Sequence, residues 1–174
     1  MSTLNVTNIK AADGTSSLSI ANSTGFIDLK KQQVPMFSVY RSTAQNINQN
    51  AWTKVVWNAE YTDGDPDNAF DTTNGRYVAP VKGWYHLSFL CSMDVSSADS
   101  GHNNYSSMNK NGSQLNYQEF YSIASHRHTH TFLMNMDVGD YCEVSCYNTS
   151  ANVNNIRGGV NESQFHGFLV RALA

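Results

Sequence analysis

The sequence predicts an all-β protein, a sandwich or jelly roll of short strands, and three observations predict it. The first is Gly83 to Val95, where Tyr85, Leu87, Phe89, Cys91, Met93 and Val95 alternate with Trp84, His86, Ser88, Leu90, Ser92 and Asp94. Period-two alternation of this length marks a strand with one face in a core. A helix would scatter the same six apolar side chains around its circumference. Burying each contributes about 1.5–3 kcal/mol before entropy is subtracted. A slip of one residue would move all six into water, so the register is set. The second observation is the regular spacing of turn signals, Asn111-Gly112, Gly139 and Gly158-Gly159 among them. The third is that no stretch shows a capped helical period.

The elements follow in order. In residues 1–33, Leu4 and Val6, Leu18 and Ile20, and Ile27 and Leu29 make three short alternating pairs, punctuated by Asp13-Gly14 and Thr24-Gly25. Strands this short do not close a core alone. They need other copies of the chain or a docking surface, which makes 1–33 an anchor or oligomerisation segment. From Val34 short strands succeed one another. Phe37, Val39 and Arg41 alternate with Met36, Ser38 and Tyr40, and Trp52 to Trp57 is a second apolar run. Tyr61 to Asn68 reads as a loop, and Gly75 and Pro80 bracket Arg76–Ala79. After the Gly83–Val95 strand, Ser96 to Asn104 reads as a polar loop. Tyr105–Asn109 and Gln114–Tyr121 flank an Asn-Gly hairpin, and Arg127–Met136 and Tyr141–Asn148 flank a second hairpin at Asp137–Asp140. Ser163–Leu173 is the last strand. Residues 34–174 are therefore one β domain.

Composition excludes several classes. The 174 residues carry a formal net charge of -3, and only 14% of them are charged. A protein that holds nucleic acid by its phosphates is expected to be basic, so nucleic acid is not an expected partner. No apolar run reaches the roughly 18 residues of a membrane span. The start, Met1 to Val6, lacks the charged-then-apolar pattern of a secretion signal, which predicts synthesis and folding in a cytosol. Cys91, Cys142 and Cys146 are an odd set on strands and are expected as packed free thiols.

Asn68 to Leu87, which holds Asp71-Thr-Thr-Asn-Gly-Arg-Tyr and Pro80-Val-Lys-Gly-Trp-Tyr, resembles the signature of the complement component 1q globular-head family. Asn111-Gly112, Met134 to Val144 and Ser163-Gln-Phe-His-Gly-Phe-Leu follow in that family's order. Leu87 stands where an aromatic is usual, and Cys142 where an aliphatic is usual. The resemblance covers residues 34–174. It implies a jelly roll of about ten strands, a compact homotrimer, and binding rather than catalysis. The opening Met1 to Thr15 resembles the start of bacteriophage structural proteins. Together these predict a virion protein made in the host cytoplasm. It would be a trimeric fibre or tail-tip protein, docked on another virion protein through residues 1–33, with a head that adheres to a host-surface glycan or protein. The alternatives are a capsid decoration trimer and a secreted cell-surface recognition module.

No Gly-x-Ser-x-Gly, His-Glu-x-x-His or phosphate-cradling glycine loop is present, so no catalytic residue is assigned. His126, His128 and His130 share a strand face with Phe132, Met134 and Met136 by parity. In a trimer they would make a transition-metal site or a pH-sensitive seam. The plainer reading is an exposed strand end bearing polar rings. Asp63, Asp65 and Asp67 alternate in an oxygen-rich loop of the kind calcium takes, but Asn68 and Asn74 fail the helix-loop-helix pattern and a solvated turn explains them as well. Tyr61, Tyr105, Tyr117 and Tyr121 with Asn103 and Asn104 are candidates for a glycan or protein recognition surface. They serve equally as trimer contacts or core.

Overall fold

The computed structural model describes residues 8–10, 16–20, 27–28, 34–95, 101–122, 125–150 and 154–173. The chain divides into two units, Met1–Val34 and Pro35–Ala174. In the first, β1 (Asn8–Lys10), β2 (Ser16–Ile20) and β3 (Ile27–Asp28) pair antiparallel in that order. Leu18 and Ile20 fall on β2 and Ile27 on β3. Leu4, Val6, Leu29 and the two turn dipeptides lie outside the described residues.

The second unit is all strand and turn, with no helix among the described residues. Its elements are β4 (Met36–Tyr40), β5 (Gln45–Ile47), β6 (Thr53–Lys54), β7 (Ala59–Glu60), β8 (Phe70–Asp71), β9 (Arg76–Val78) and β10 (Gly83–Asp94). They continue as β11 (His102–Lys110), β12 (Ser113–Ser122), β13 (His126–Met136), β14 (Tyr141–Asn148), β15 (Asn154–Ile156) and β16 (Gln164–Ala172). Two antiparallel sheets form. One runs β13-β10-β16-β4-β7, with β15 on the end of β10 and β5 beyond it. The other runs β12-β11-β14-β9-β8, with β6 also on β14.

The alternation read in β10 is the centre of this arrangement. Tyr85, Leu87, Phe89, Cys91 and Met93 are all fully buried. They meet Met108, Val144 and Cys146 of the other sheet in one core. Phe37 on β4 stacks on Tyr77 at 4.3 Å between ring centroids and meets Phe165 edge-on at 4.7 Å. Offset and edge contacts of this kind add to what area burial alone contributes.

Three elements differ from the sequence reading. In the Trp52–Trp57 run only Thr53–Lys54 is regular strand, followed by one bond from Val55 N to the Val144 carbonyl at 2.8 Å: Val55 and Trp57 turn into the core while Trp52 stays 42% exposed. Asn103 and Asn104 belong to β11 rather than to a loop. The Asp137–Asp140 turn is tight, with Asp140 N donating to Asp137 O at 3.0 Å, but it joins no hairpin. β13 pairs with β10 and β14 with β11 and β9, so this turn carries the chain from one sheet to the other. At Asn111-Gly112 both residues have positive φ (51° and 76°), and the hairpin there forms as expected.

The three thiols are free and buried. Burial first, then the neighbouring Cys146, pushes the Cys91 thiol well above its usual range, and burial does the same to Cys142. The folded protein is expected to give no reaction with Ellman's reagent. All three thiols should react in step with unfolding in denaturant, and rapid native labelling at pH 8 would show the core to be open.

Candidate functional site

The outward face of β12-β11-β14 carries the site. On β11 the even residues Asn104, Ser106 and Met108 point inward, and on β14 so do Cys142, Val144, Cys146 and Asn148. The odd residues therefore face out. The register sets them in rows. Tyr105 lies between Tyr147 and Glu119, Ser107 between Ser145 and Tyr117, and Asn109 between Glu143 and Gln114. Trp52, just ahead of β6, is brought over these rows because β6 pairs with Ser145 and Cys146. Its ring centroid lies 5.5 Å from Tyr147, 6.3 Å from Tyr117 and 6.4 Å from Tyr105. Tyr105 meets Tyr147 and Tyr117 edge-on, both at 5.6 Å.

Beneath these rings the face is polar. Ser107, Asn109 and Ser145 point outward yet are buried. Ser107 Oγ donates to Asn109 Oδ1 at 2.9 Å, and Asn109 Nδ2 donates to Ser145 Oγ at 2.8 Å. Two adjoining hollows result. One of about 350 Å³ is lined by Trp52, Tyr105, Gln114, Tyr117, Tyr147 and Thr149. The other, of about 260 Å³, shares Trp52 and Gln114 and reaches Lys54, Asn109, Glu143 and Ser145. At that end Lys54 Nζ lies 3.7 Å from Glu143 Oε2. At the other, Tyr105 OH accepts from Asn103 Nδ2 at 3.3 Å and donates to Glu119 Oε1 at 3.0 Å. The Asn103 bond draws the Tyr105 pKa down, but burial and the Glu119 carboxylate outweigh it, so Tyr105 stays a phenol and a donor.

Of the residues expected from sequence, Tyr105 and Tyr117 line this cleft and Asn103 holds Tyr105 in place. Tyr121 lies opposite Asn103, 69% exposed, beyond the cleft. Asn104 is a correction: its parity puts it in the interior, where its Oδ1 accepts from Asn154 Nδ2 at 3.4 Å. Tyr61 is another, lying beside Tyr40 with its hydroxyl donated to the Val160 carbonyl, at the far edge of the other sheet. Trp52, Tyr147 and Gln114 were not foreseen. Tyr147 shares its parity with Glu143, and that was the available signal.

The histidines do share one strand face with Met134 and Met136, but it looks into the sandwich. That corrects the expectation of an exposed strand end. His128 is fully buried, its ring 4.4 Å from His126 and 3.5 Å from Phe120 in near-parallel stacks. Neither of its ring nitrogens has a hydrogen-bond partner within the protein. His130 sits between Phe89 and Phe132. The Asp63–Asp67 stretch is a turn. Asp65 Oδ2 accepts from Phe70 N at 2.7 Å, while Asp63 and Asp67 are exposed. No group of three His, Cys, Asp or Glu is arranged to hold a metal ion among the described residues.

A larger hollow of about 570 Å³ lies at the loop end of the sandwich, lined by Asp67, Asp71, Pro80 and Val138 among others. Asp71 is already spent on Asn74 and Arg76 there. The ring of Phe70 in its wall is buried in the core. The smaller cleft, with exposed rings over hydrogen-bonding groups, has the character of a binding site.

Comparison with known proteins matches the C1q domain family to residues 36–170. The globular domain of zebrafish complement 1qA protein superposes with a TM-score of 0.58 at 17% identity, covering 80% of this chain and 99% of that one. Eiger TNF from S. frugiperda does so with a TM-score of 0.58 at 11% identity, covering 80% and 96%. No curated protein matches. The unit is thus an all-β sandwich of the C1q- and TNF-like jelly-roll type.

Proposed function

Because the chain belongs to the C1q domain family, we propose that it works by binding, as the head of a homotrimeric attachment protein. One observation carries this reading. On the outward face of the β13-β10-β16-β4 sheet, Leu133, His86, Phe168 and Met36 stand in one cross-strand row. Leu133 is 62% exposed, Phe168 and Met36 are exposed beside it, and Trp84 and Val170 extend the patch. His86 stacks on Phe168 with ring centroids 5.1 Å apart. A contiguous apolar row of this kind is unfavourable in water and marks a protein contact. Three copies, the number the family resemblance implies, close around it with no free edge.

Light scattering on the purified chain is expected to give three times the chain mass. The double variant Leu133→Asp, Phe168→Asp is expected to give the monomer mass with the β-rich circular dichroism retained. A monomeric parent protein would end this reading. The N-terminal unit carries the head on a larger assembly. The likeness of Met1 to Thr15 to phage structural proteins supports a virion as that assembly and the host surface as the target. Quantifying the protein in purified particles tests this. A few to a few dozen copies fit a fibre or tail tip, whereas hundreds fit shell decoration.

A further inference from the structure

The geometry points to the Trp52 cleft as a binding site for a short neutral oligosaccharide, an inference that rests on the attachment-head reading above and gives its ligand class. Four observations lead there.

The walls are rings with open faces. Trp52 is 42% exposed and Tyr117 58%, so both keep ring surface open to solvent. The apolar C–H face of a pyranose stacks on such rings, while its hydroxyls need donors and acceptors at the edges.

The floor supplies groups of that kind. Ser107, Asn109 and Ser145 already satisfy one another, yet Ser145, which accepts from Asn109, keeps its own hydroxyl proton to donate. The Gln114 carboxamide stands at the junction of the two hollows, exposed and committed to no bond within the protein. It offers a donor and an acceptor side by side, the pairing that adjacent sugar hydroxyls match.

The charges disfavour an anionic ligand. Lys54 faces Glu143, and Glu119 takes the Tyr105 hydroxyl. Among the described residues lining the hollows no other cation is left for a sulfate or a sialic acid carboxylate, so the cleft suits an uncharged sugar.

The cleft also stays accessible. It opens on the sheet opposite the apolar row, so assembly through Leu133 and Phe168 leaves it facing solvent. Two adjoining hollows that share Trp52 suit more than one sugar ring.

The test uses the full-length chain and titrates maltotriose, cellotriose, lactose and N,N′,N″-triacetylchitotriose separately to about 10 mM. Binding is read by calorimetry and by saturation-transfer NMR. At least one is expected to bind. Trp52→Ala, at a half-exposed position, should weaken that binding about tenfold or more. Tyr117→Ala and Gln114→Ala should each weaken it with melting temperature unchanged. If none of the four binds, if binding survives both Trp52→Ala and Tyr117→Ala, or if a sulfated analogue binds tighter than its neutral parent, the inference is overturned. Light scattering on the same preparation separates the two claims. A trimer that binds no sugar removes the cleft and leaves the head reading, and a sugar-binding monomer does the reverse.

Discussion

Gly167→Val is expected to destabilise the fold by more than about 3 kcal/mol, lowering Tm by roughly 6–12 °C or preventing recovery of folded protein. Gly167 lies on β16, in register with Leu87 on β10 and Phe37 on β4, with its missing side chain directed into the core. A Cβ there would stand 2.6 Å from Leu87 Cδ2, 2.8 Å from the Phe37 ring and 2.8 Å from the His86 carbonyl oxygen. The leucine methyl has some freedom. The Phe37 ring has little, since it stacks on Tyr77 and meets Phe165 edge-on, and the carbonyl belongs to the sheet ladder. The space over the glycine is already filled by its neighbours. Gly167→Ala is expected to cost about 1–3 kcal/mol, because one methyl forces a smaller shift. Urea denaturation of the two variants checks the order. A valine variant with the parent midpoint would show that β16 does not lie in this register.

Acid is expected to destabilise the protein well before its carboxylates titrate. Burial first, then His126 and His130, lowers the His128 pKa from 6.5 to about 2. In the unfolded chain the same ring ionises near 6.5. Between those values the unfolded state binds a proton that the folded state refuses. Stability is therefore fully present above pH 6.5 and falls as the pH drops below it, by about 1.4 kcal/mol per pH unit. From pH 6.5, where half of the unfolded chains already carry the proton, to pH 4.5 the loss from His128 alone is about 2.3 kcal/mol. His130 and His166, both lowered chiefly by burial, act in the same direction. The groups packed on His128 from other strands, Phe120 of β12 and the Cys91 thiol opposite it on β10, bring no charge to hold a proton. Asp140, held at about 2 by Lys110 first, keeps its charge through this window. His128→Leu is expected to be as stable as the parent at pH 7 or more so, since it removes two unpartnered buried nitrogens. It should lose less than half as much between pH 6.5 and 4.5. Urea midpoints for both proteins at these pH values are the measurement. A parent midpoint that does not move over this range would refute the burial of a neutral histidine.

What the sequence disclosed follows from the range of each signal. Side-chain parity is local, so β10 was legible to its last buried residue, and the Asn-Gly hairpin was legible from two residues. A turn motif does not say which sheet the next strand joins. Asp137–Asp140 has the glycine and the tight bond of a hairpin, and only the distant partners β10 and β11 show that it crosses between layers. The inward place of Asn104 is hidden in the sequence because nothing in the polar stretch Ser96 to Asn104 marks where β11 starts, and so nothing there shows its parity with Ser106 and Met108. The cleft was half legible. Tyr105 and Tyr117 face each other across one hairpin, but Trp52 and Tyr147 come from segments that only the β14 ladders bring alongside them.

One feature of the second sheet bears on how this protein can change over generations. From Ser113 to Tyr117 every side chain of β12 is exposed, on both faces of the strand, and among the described side chains further along only Gln118 and Phe120 are partly covered. The strand is held by its backbone ladder to β11 far more than by what its side chains bury. Substitutions there should be nearly neutral for folding. Two of them, at Gln114 and Tyr117, would at the same time reshape the mouth of the cleft. Selection can thus retune recognition along this strand almost independently of the architecture beneath it.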